Sequence, residues 1–143
     1  MAEKAAVAAP PDSTQGQPQA VVLVVDDEEG LRKLVCRTLR DQGYRTLEAG
    51  HGREALELVE TALQPVDLII TDVVMPEMDG GELGRRVGQV RPDLPVLYMS
   101  GYDVNDIFRR GSPRSSAPFL QKPFPAEVLL GAVEQLLKRH STH

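Results

Sequence analysis

The chain has 143 residues, 16 basic against 21 acidic side chains, and a formal net charge of −5. That length fits about one domain with a core of its own, and no run approaches the ~20 apolar residues of a transmembrane helix. The acidic balance argues against a binder of nucleic acid or anionic membrane, whose phosphates call for concentrated Lys and Arg. One cysteine, Cys36, excludes an internal disulfide, fits a reducing cytoplasm and reads as a packed residue of the first helix.

Residues 1–20 are rich in Ala, Pro, Gln, Ser and Gly and carry no hydrophobic period, so they read as a disordered tail or linker. Neither a basic leader nor a long apolar core marks a signal peptide there. The domain is expected over residues 21–140. Val21–Val25 is the first strand. After Asp26 and Asp27, Leu31, Leu34, Val35, Thr38 and Leu39 recur at helical spacing, with Gly43 as the stop. Tyr44–Ala49 is a weaker second strand. Ala55, Leu56, Val59 and Leu63 mark a second helix that Pro65 ends. Val66–Thr71 is near-continuously apolar, as in a strand buried on both faces. Leu83, Val87 and Val90 mark a third helix, and Val96–Met99 a fourth strand. A short helix is expected over Asp103–Arg110, broken by Gly111, Ser112 and Pro113. Phe119–Gln121 is the fifth strand, and Leu129, Val133, Leu136 and Leu137 form the apolar stripe of the last helix.

Five βα units imply a doubly wound parallel sheet. Ligands of such sheets sit outside the carboxyl ends of the strands, where strand order reverses. For the order 2-1-3-4-5 that point lies between the first and third strands. Asp26, Asp27 and Asp72 stand at those two ends, and Ser100 and Lys122 follow the fourth and fifth strands. A single Asp after a strand is ordinary, because Asp turns and caps well. Three together are not. Two carboxylates about 5 Å apart repel by roughly 3 kcal/mol at an effective dielectric of 20. A hard, oxygen-seeking cation such as Mg2+ relieves this. An Asp oxygen beside that cation can attack a phosphoryl group, whose oxygens then need neutralisation and alignment. Lys122, the Ser100 hydroxyl and the backbone N–H of Gly101 are donors for that task. Lys122 precedes Pro123, and a peptide of that kind adopts the cis form at low cost.

Four motifs carry a family resemblance: VVDD at Val24–Asp27, TDVVMPEMDG at Thr71–Gly80, MSGY at Met99–Tyr102 and FLQKPF at Phe119–Phe124. In this order and at these separations the chain resembles the receiver domain of two-component response regulators over Val21–Arg139. The SGY and FLQKPF motifs are most similar to receivers attached to hybrid histidine kinases. The resemblance implies a flavodoxin-like (βα)5 sandwich with helices on both faces of the sheet. It implies that Asp72 is the phosphoacceptor and that Mg2+ or Mn2+ is held by Asp27, Asp72, the carbonyl of Val74 and, through water, Asp26. Ser100, Lys122 and the backbone of Gly101 would hold the phosphoryl group, and Phe119 is the switch aromatic. Pro76 and Gly80 match the loop after the phosphoacceptor. Val74 and Tyr102 occupy positions that tune phosphoryl lifetime, and their bulk is expected to hinder the attacking water.

The implied partners are a histidine kinase or histidine phosphotransfer domain as donor, an unidentified downstream protein, and a second copy in a phosphorylation-linked homodimer. No membrane and no nucleic acid is expected among them. Two positions depart from the commonest pattern: Gly101 stands where Ala is usual, and Pro125 where a Ser or Thr caps the last helix.

Rival readings fail on particular residues. A haloacid-dehalogenase-type phosphatase wants a second Asp two residues after the nucleophile, and here Val74 stands there. An FMN binder wants Ser, Thr and Gly after the first strand, and here Asp-Asp-Glu-Glu would repel the phosphate. No GxxxxGK[ST] marks a P-loop. No helix-turn-helix follows the last helix, and Arg109, Arg110 and Arg114 read as a solvated face. A degenerate receiver used only to bind a partner is the remaining alternative. His51, His140 and His143 sit in a Gly-flanked loop and at the C-terminus, and read as exposed bystanders rather than phosphodonors. The chain reads either as a free-standing regulator or as a receiver cut from a longer kinase.

Overall fold

In the computed structural model, which describes residues 20–62, 65–101 and 118–141, five strands form one parallel sheet in the order β2-β1-β3-β4-β5. They are β1 (Val21–Val25), β2 (Arg45–Ala49), β3 (Leu68–Asp72), β4 (Val96–Ser100) and β5 (Phe119–Gln121). The helices among the described residues are α1 (Glu29–Asp41), α2 (Gly52–Thr61), α3 (Gly80–Val90) and α4 (Ala126–Ser141). This is the expected order. The tail expected over residues 1–20 lies outside the described residues except for Ala20, as do the helix expected over Asp103–Arg110 and the breaker-rich stretch up to Ala117. Ala20 already belongs to the fold, since its carbonyl accepts from Arg45 N–H at 2.9 Å.

The alternation of side chains along a strand sorts the core into two layers. Val22 and Val24 of β1, Leu68 and Ile70 of β3, and Leu97 and Met99 of β4 pack on Val35, Cys36 and Leu39 of α1 and on Leu129 and Val133 of α4. Leu23, Val25 and Ile69 point the other way, onto Ala55 of α2 and Leu83 and Val87 of α3. Cys36 is wholly buried, and burial raises its thiol pKa. Leu34, placed in the stripe of α1 by spacing, is 60% exposed instead. Burial of Cys36 and Leu39 rotates the apolar face of α1, and at 100° per residue that leaves Leu34 on the far side.

Element ends follow from hydrogen bonds that spacing does not reveal. Tyr44 N–H bonds the Leu39 carbonyl at 3.1 Å, and Gly43 N–H the Arg40 carbonyl at 2.9 Å. This is a Schellman stop, and Gly43 takes the positive φ (105°) it needs. β3 starts at Leu68 rather than Val66, and Asp67 just before it caps the neighbouring strand: its carboxylate accepts from Val21 N–H at 2.8 Å. α2 stops at Thr61, short of Leu63, with Ala62 extended (φ −61°, ψ 139°). α4 begins without a Ser or Thr cap; the Pro125 carbonyl accepts from Val128 and Leu129 N–H.

His51 is exposed but is not a bystander. It caps α2: its Nδ1 accepts from Glu54 N–H at 3.2 Å, and Glu54 Oε1 accepts from Gly50 N–H at 3.0 Å. The pattern is close to a capping box with His in the place of Ser or Thr, except that Glu54 reaches one residue further back, to the N–H before the cap. Histidine is an uncommon cap, so residue type gave no hint of it.

The loop from β3 to α3 is drawn tightly against the strand end. Gly80 N–H donates to the Val73 carbonyl at 2.7 Å. A side-chain carbon at Gly80 would overlap the carbonyl oxygen of Asp72 and stand 3.0 Å from Val73 Cα. Both obstacles are backbone, which cannot rotate away. Gly80→Ala is therefore expected to destabilise the protein by about 2 kcal/mol, checked by the urea midpoint; an unchanged midpoint would refute the contact. In the same loop Met78 N–H bonds the Pro76 carbonyl at 2.7 Å around Glu77, whose φ is 69°. A turn of this kind around a non-glycine residue holds strain on the order of 1 kcal/mol or more.

Candidate functional site

Asp26 continues β1 by one step. Its N–H donates to the Ala49 carbonyl of β2 at 3.1 Å, and its Oδ1 accepts from Glu28 N–H at 2.9 Å. The second contact turns the chain into α1. Asp26 is completely buried, whereas Asp27 beside it is exposed. Asp72 closes β3 and is 7% exposed. One carboxylate oxygen from each of Asp26, Asp27 and Asp72 lies within 4.8 Å of the others.

Lys122 follows β5 and extends its pairing, with its N–H on the Ser100 carbonyl at 2.8 Å. The peptide to Pro123 is cis. From there the side chain reaches back over β4. Its Nζ stands 3.3 Å from Asp26 Oδ2 and 3.4 Å from Asp72 Oδ2. Ser100 ends β4 and is fully buried. The sheet order thus brings Asp26, Asp27, Asp72, Ser100 and Lys122 to one edge. Parallel strands put all their carboxyl ends on the same side, which is why residues up to 96 positions apart meet there.

The electrostatics of this edge are unbalanced. Burial pushes the Asp72 carboxyl up to about 6; the Lys122 ammonium opposes that rise and the Asp26 carboxylate adds to it. The Val74 backbone amide nearby also favours the charged form. One ammonium cannot neutralise three carboxylates. The residues present fit a hard divalent cation: all three offer anionic oxygen, and exposed Asp27 leaves a side open for water and phosphate ligands.

Other expected residues lie around this edge. Val74 is half-buried and packs with Phe119 on a small cluster formed by Val73 and Tyr98. Phe119 stands opposite Tyr98 in the β4–β5 register. Gly101 is exposed, and a side-chain carbon there would meet nothing within 4 Å, so space does not demand a glycine at this position. Tyr102 lies outside the described residues. Arg32 and Glu48 were not singled out from sequence. Arg32 donates to the Asp26 backbone carbonyl and to Glu48, both at 2.9 Å. A six-residue spacing from Asp26 has no local signature that would have revealed this.

Comparisons with known proteins show the family and the fold. The profile of the response regulator receiver domain matches residues 22–134. The sensor kinase CckA of Brucella abortus is 40% identical over 121 residues, which are 84% of this chain and 13% of the kinase. The response regulator receiver protein CpdR of the same organism is 31% identical over 116 residues, 81% of this chain and 95% of that protein. The crystal structure of the receiver domain from hybrid histidine kinase CckA superposes with a TM-score of 0.69 at 35% identity, covering 82% of this chain and 99% of that domain. This chain therefore spans a small part of one relative and nearly the whole of another. Among the described residues no helix is long and apolar enough to cross a membrane. With the profile spanning most of the chain and the same parallel order of strands, the chain belongs to the response regulator receiver domain family.

Proposed function

We propose that the chain is a phosphoryl acceptor in a two-component phosphorelay, taking the group from a phosphohistidine onto a carboxylate oxygen of Asp72. Receiver domains work with histidine kinases or phosphotransfer proteins, and the family is a signalling rather than a metabolic one. The observation that carries the reading is the placement of Lys122 Nζ between Asp26 and Asp72 at the point where three carboxylates converge.

In the transfer, the bond from the Asp72 oxygen to phosphorus forms as the phosphorus–nitrogen bond of the donor breaks, and the imidazole leaves with that electron pair. Asp26, Asp27, Asp72 and the Val74 carbonyl would hold Mg2+ or Mn2+. When bound, the cation neutralises charge on the phosphoryl oxygens and aligns them. Lys122 already faces Asp72 and would pair with an oxygen of the incoming group. The Ser100 hydroxyl and the Gly101 N–H, at the end of β4, donate to the remaining oxygens. Exposed Asp27 leaves the donor a path to a buried nucleophile. A phosphoryl group seated against Ser100 also supplies a signal to Phe119, which packs at the neighbouring strand.

Incubation with Mg2+ and acetyl phosphate, followed by intact mass, tests this. A phosphoryl adduct is expected on the wild-type chain and none on Asp72→Asn. Absence of an adduct with Mg2+ present would return the chain to a phosphorylation-independent binding module.

A further inference from the structure

Arg32 projects from the first turns of α1 with 15% of its side chain exposed. Its Nη1 donates to the backbone carbonyl of Asp26 at 2.9 Å, and its Nε donates to Glu48 Oε1 at 2.9 Å. Glu48 belongs to β2 and also accepts from Lys33 Nζ at 3.3 Å. One planar guanidinium therefore spans α1, the β1–α1 turn and β2, with a fixed fork that a lysine cannot reproduce.

The carbonyl that Arg32 holds belongs to the Asp26–Asp27 peptide. A peptide is planar, so fixing its oxygen fixes the whole unit and the direction in which Asp27 leaves it. On the other side, Asp26 N–H is held by the Ala49 carbonyl at 3.1 Å. The backbone that delivers two of the three carboxylates is thus pinned at both ends of Asp26. Glu48 has a second effect. A lone guanidinium this close to the carboxylates would repel a divalent cation, and its pairing with Glu48 offsets that charge while leaving the hydrogen bond to Asp26 in place.

We infer that Arg32, braced by Glu48, is a positioning residue that sets the Asp26–Asp27 peptide for divalent-cation binding. The inference rests on the reading of the three carboxylates as a cation site. It differs from a mere strut between α1 and β2 in what it requires of Mg2+ affinity.

The experiment is calorimetric titration of Mg2+ into the wild-type chain, Arg32→Gln, Arg32→Lys and Lys33→Gln at fixed ionic strength, with thermal unfolding of each in EDTA. Arg32→Gln is expected to weaken Mg2+ binding about 10-fold, the scale on which groups behind the ligands tune metal affinity. Loss of a nearby positive charge acting alone would tighten binding, so the sign separates positioning from electrostatics. Lys33→Gln removes a like charge from the same helix without touching Asp26, and is expected to bind no more weakly than wild type. Arg32→Lys is expected to fall between wild type and Arg32→Gln. An Arg32→Gln protein that unfolds at lower temperature yet binds Mg2+ as well as wild type is a strut, and overturns the inference. Equal weakening in Lys33→Gln overturns it as well. Should Arg32→Gln not fold, Arg32→Lys decides: weaker binding supports positioning, and an unchanged constant defeats it. Failure of the wild-type chain itself to bind Mg2+ removes the reading of the site, and this inference with it.

Discussion

Replacing Asp72 by Asn is expected to stabilise the metal-free protein at pH 7, by on the order of 2 kcal/mol. The carboxyl is raised from 3.8 to about 6 by burial and by Asp26, against the pull of Lys122. Each unit corresponds to about 1.4 kcal/mol, reduced here because solvent still reaches the site edge. The folded state holds the Asp72 proton more tightly than the unfolded chain does. Its contribution is therefore a destabilisation that is full above pH 6, shrinks as the pH falls from about 6 toward 4, and vanishes below the unfolded value. Urea unfolding of both proteins in EDTA at pH 7 and pH 4 measures this. The advantage of Asn should be present at pH 7 and gone at pH 4, and an Asn variant less stable than wild type at pH 7 would overturn it. Added Mg2+ should stabilise the wild type by mass action and the Asn variant less. The order of the two proteins should then narrow or reverse.

Lys122→Met should have the largest effect of opposite sign, a loss of about 3 kcal/mol at pH 7 without metal. Asp26 is fully buried, and Lys122 is its side-chain cation at 3.3 Å. Removing the ammonium leaves Asp26 and Asp72 facing each other uncompensated. The effect belongs to a coupled set, so it should not add to that of Asp72→Asn. The double variant Lys122→Met with Asp72→Asn is expected to recover nearly all of the loss, more than the about 2 kcal/mol that Asp72→Asn gains on its own. Simple additivity in that cycle would mean that Lys122 stabilises the fold through its aliphatic stem or the Pro123 turn rather than through its charge.

Much of the fold was legible because its signals are local. The apolar runs of β1 and β3 are short, continuous and bounded by polar residues, and the structure buries both strands completely. Gly43 could be read as a helix stop because a residue type and a conformation coincide there. Leu34 could not be placed correctly: spacing alone admits both Leu34 and Val35, and only the packing of Cys36 and Leu39 against the sheet chooses between them. His51 and Asp67 escaped notice for a related reason. Each satisfies a backbone N–H, one at the start of α2 and one at the start of β1; histidine is an uncommon cap, and Asp67 caps a strand far from it in sequence.

Taken alone, the sequence determined the parallel βα order and the convergence of Asp26, Asp27, Asp72, Ser100 and Lys122, because each of these residues abuts a strand end. Once strands run parallel, their carboxyl ends must share one edge. What only the tertiary structure decided is how charge is distributed along that edge. Asp26 and Asp27 are neighbours of one residue type, and no local pattern tells which of them is buried. Pairing of Asp26 with Ala49 of β2 buries the first and leaves the second exposed. The ammonium of Lys122 reaches Asp26 across 96 residues of chain, and Arg32 holds the peptide between the two aspartates from the helix that follows them. These contacts depend on the register and layering of separate elements, which no local pattern encodes.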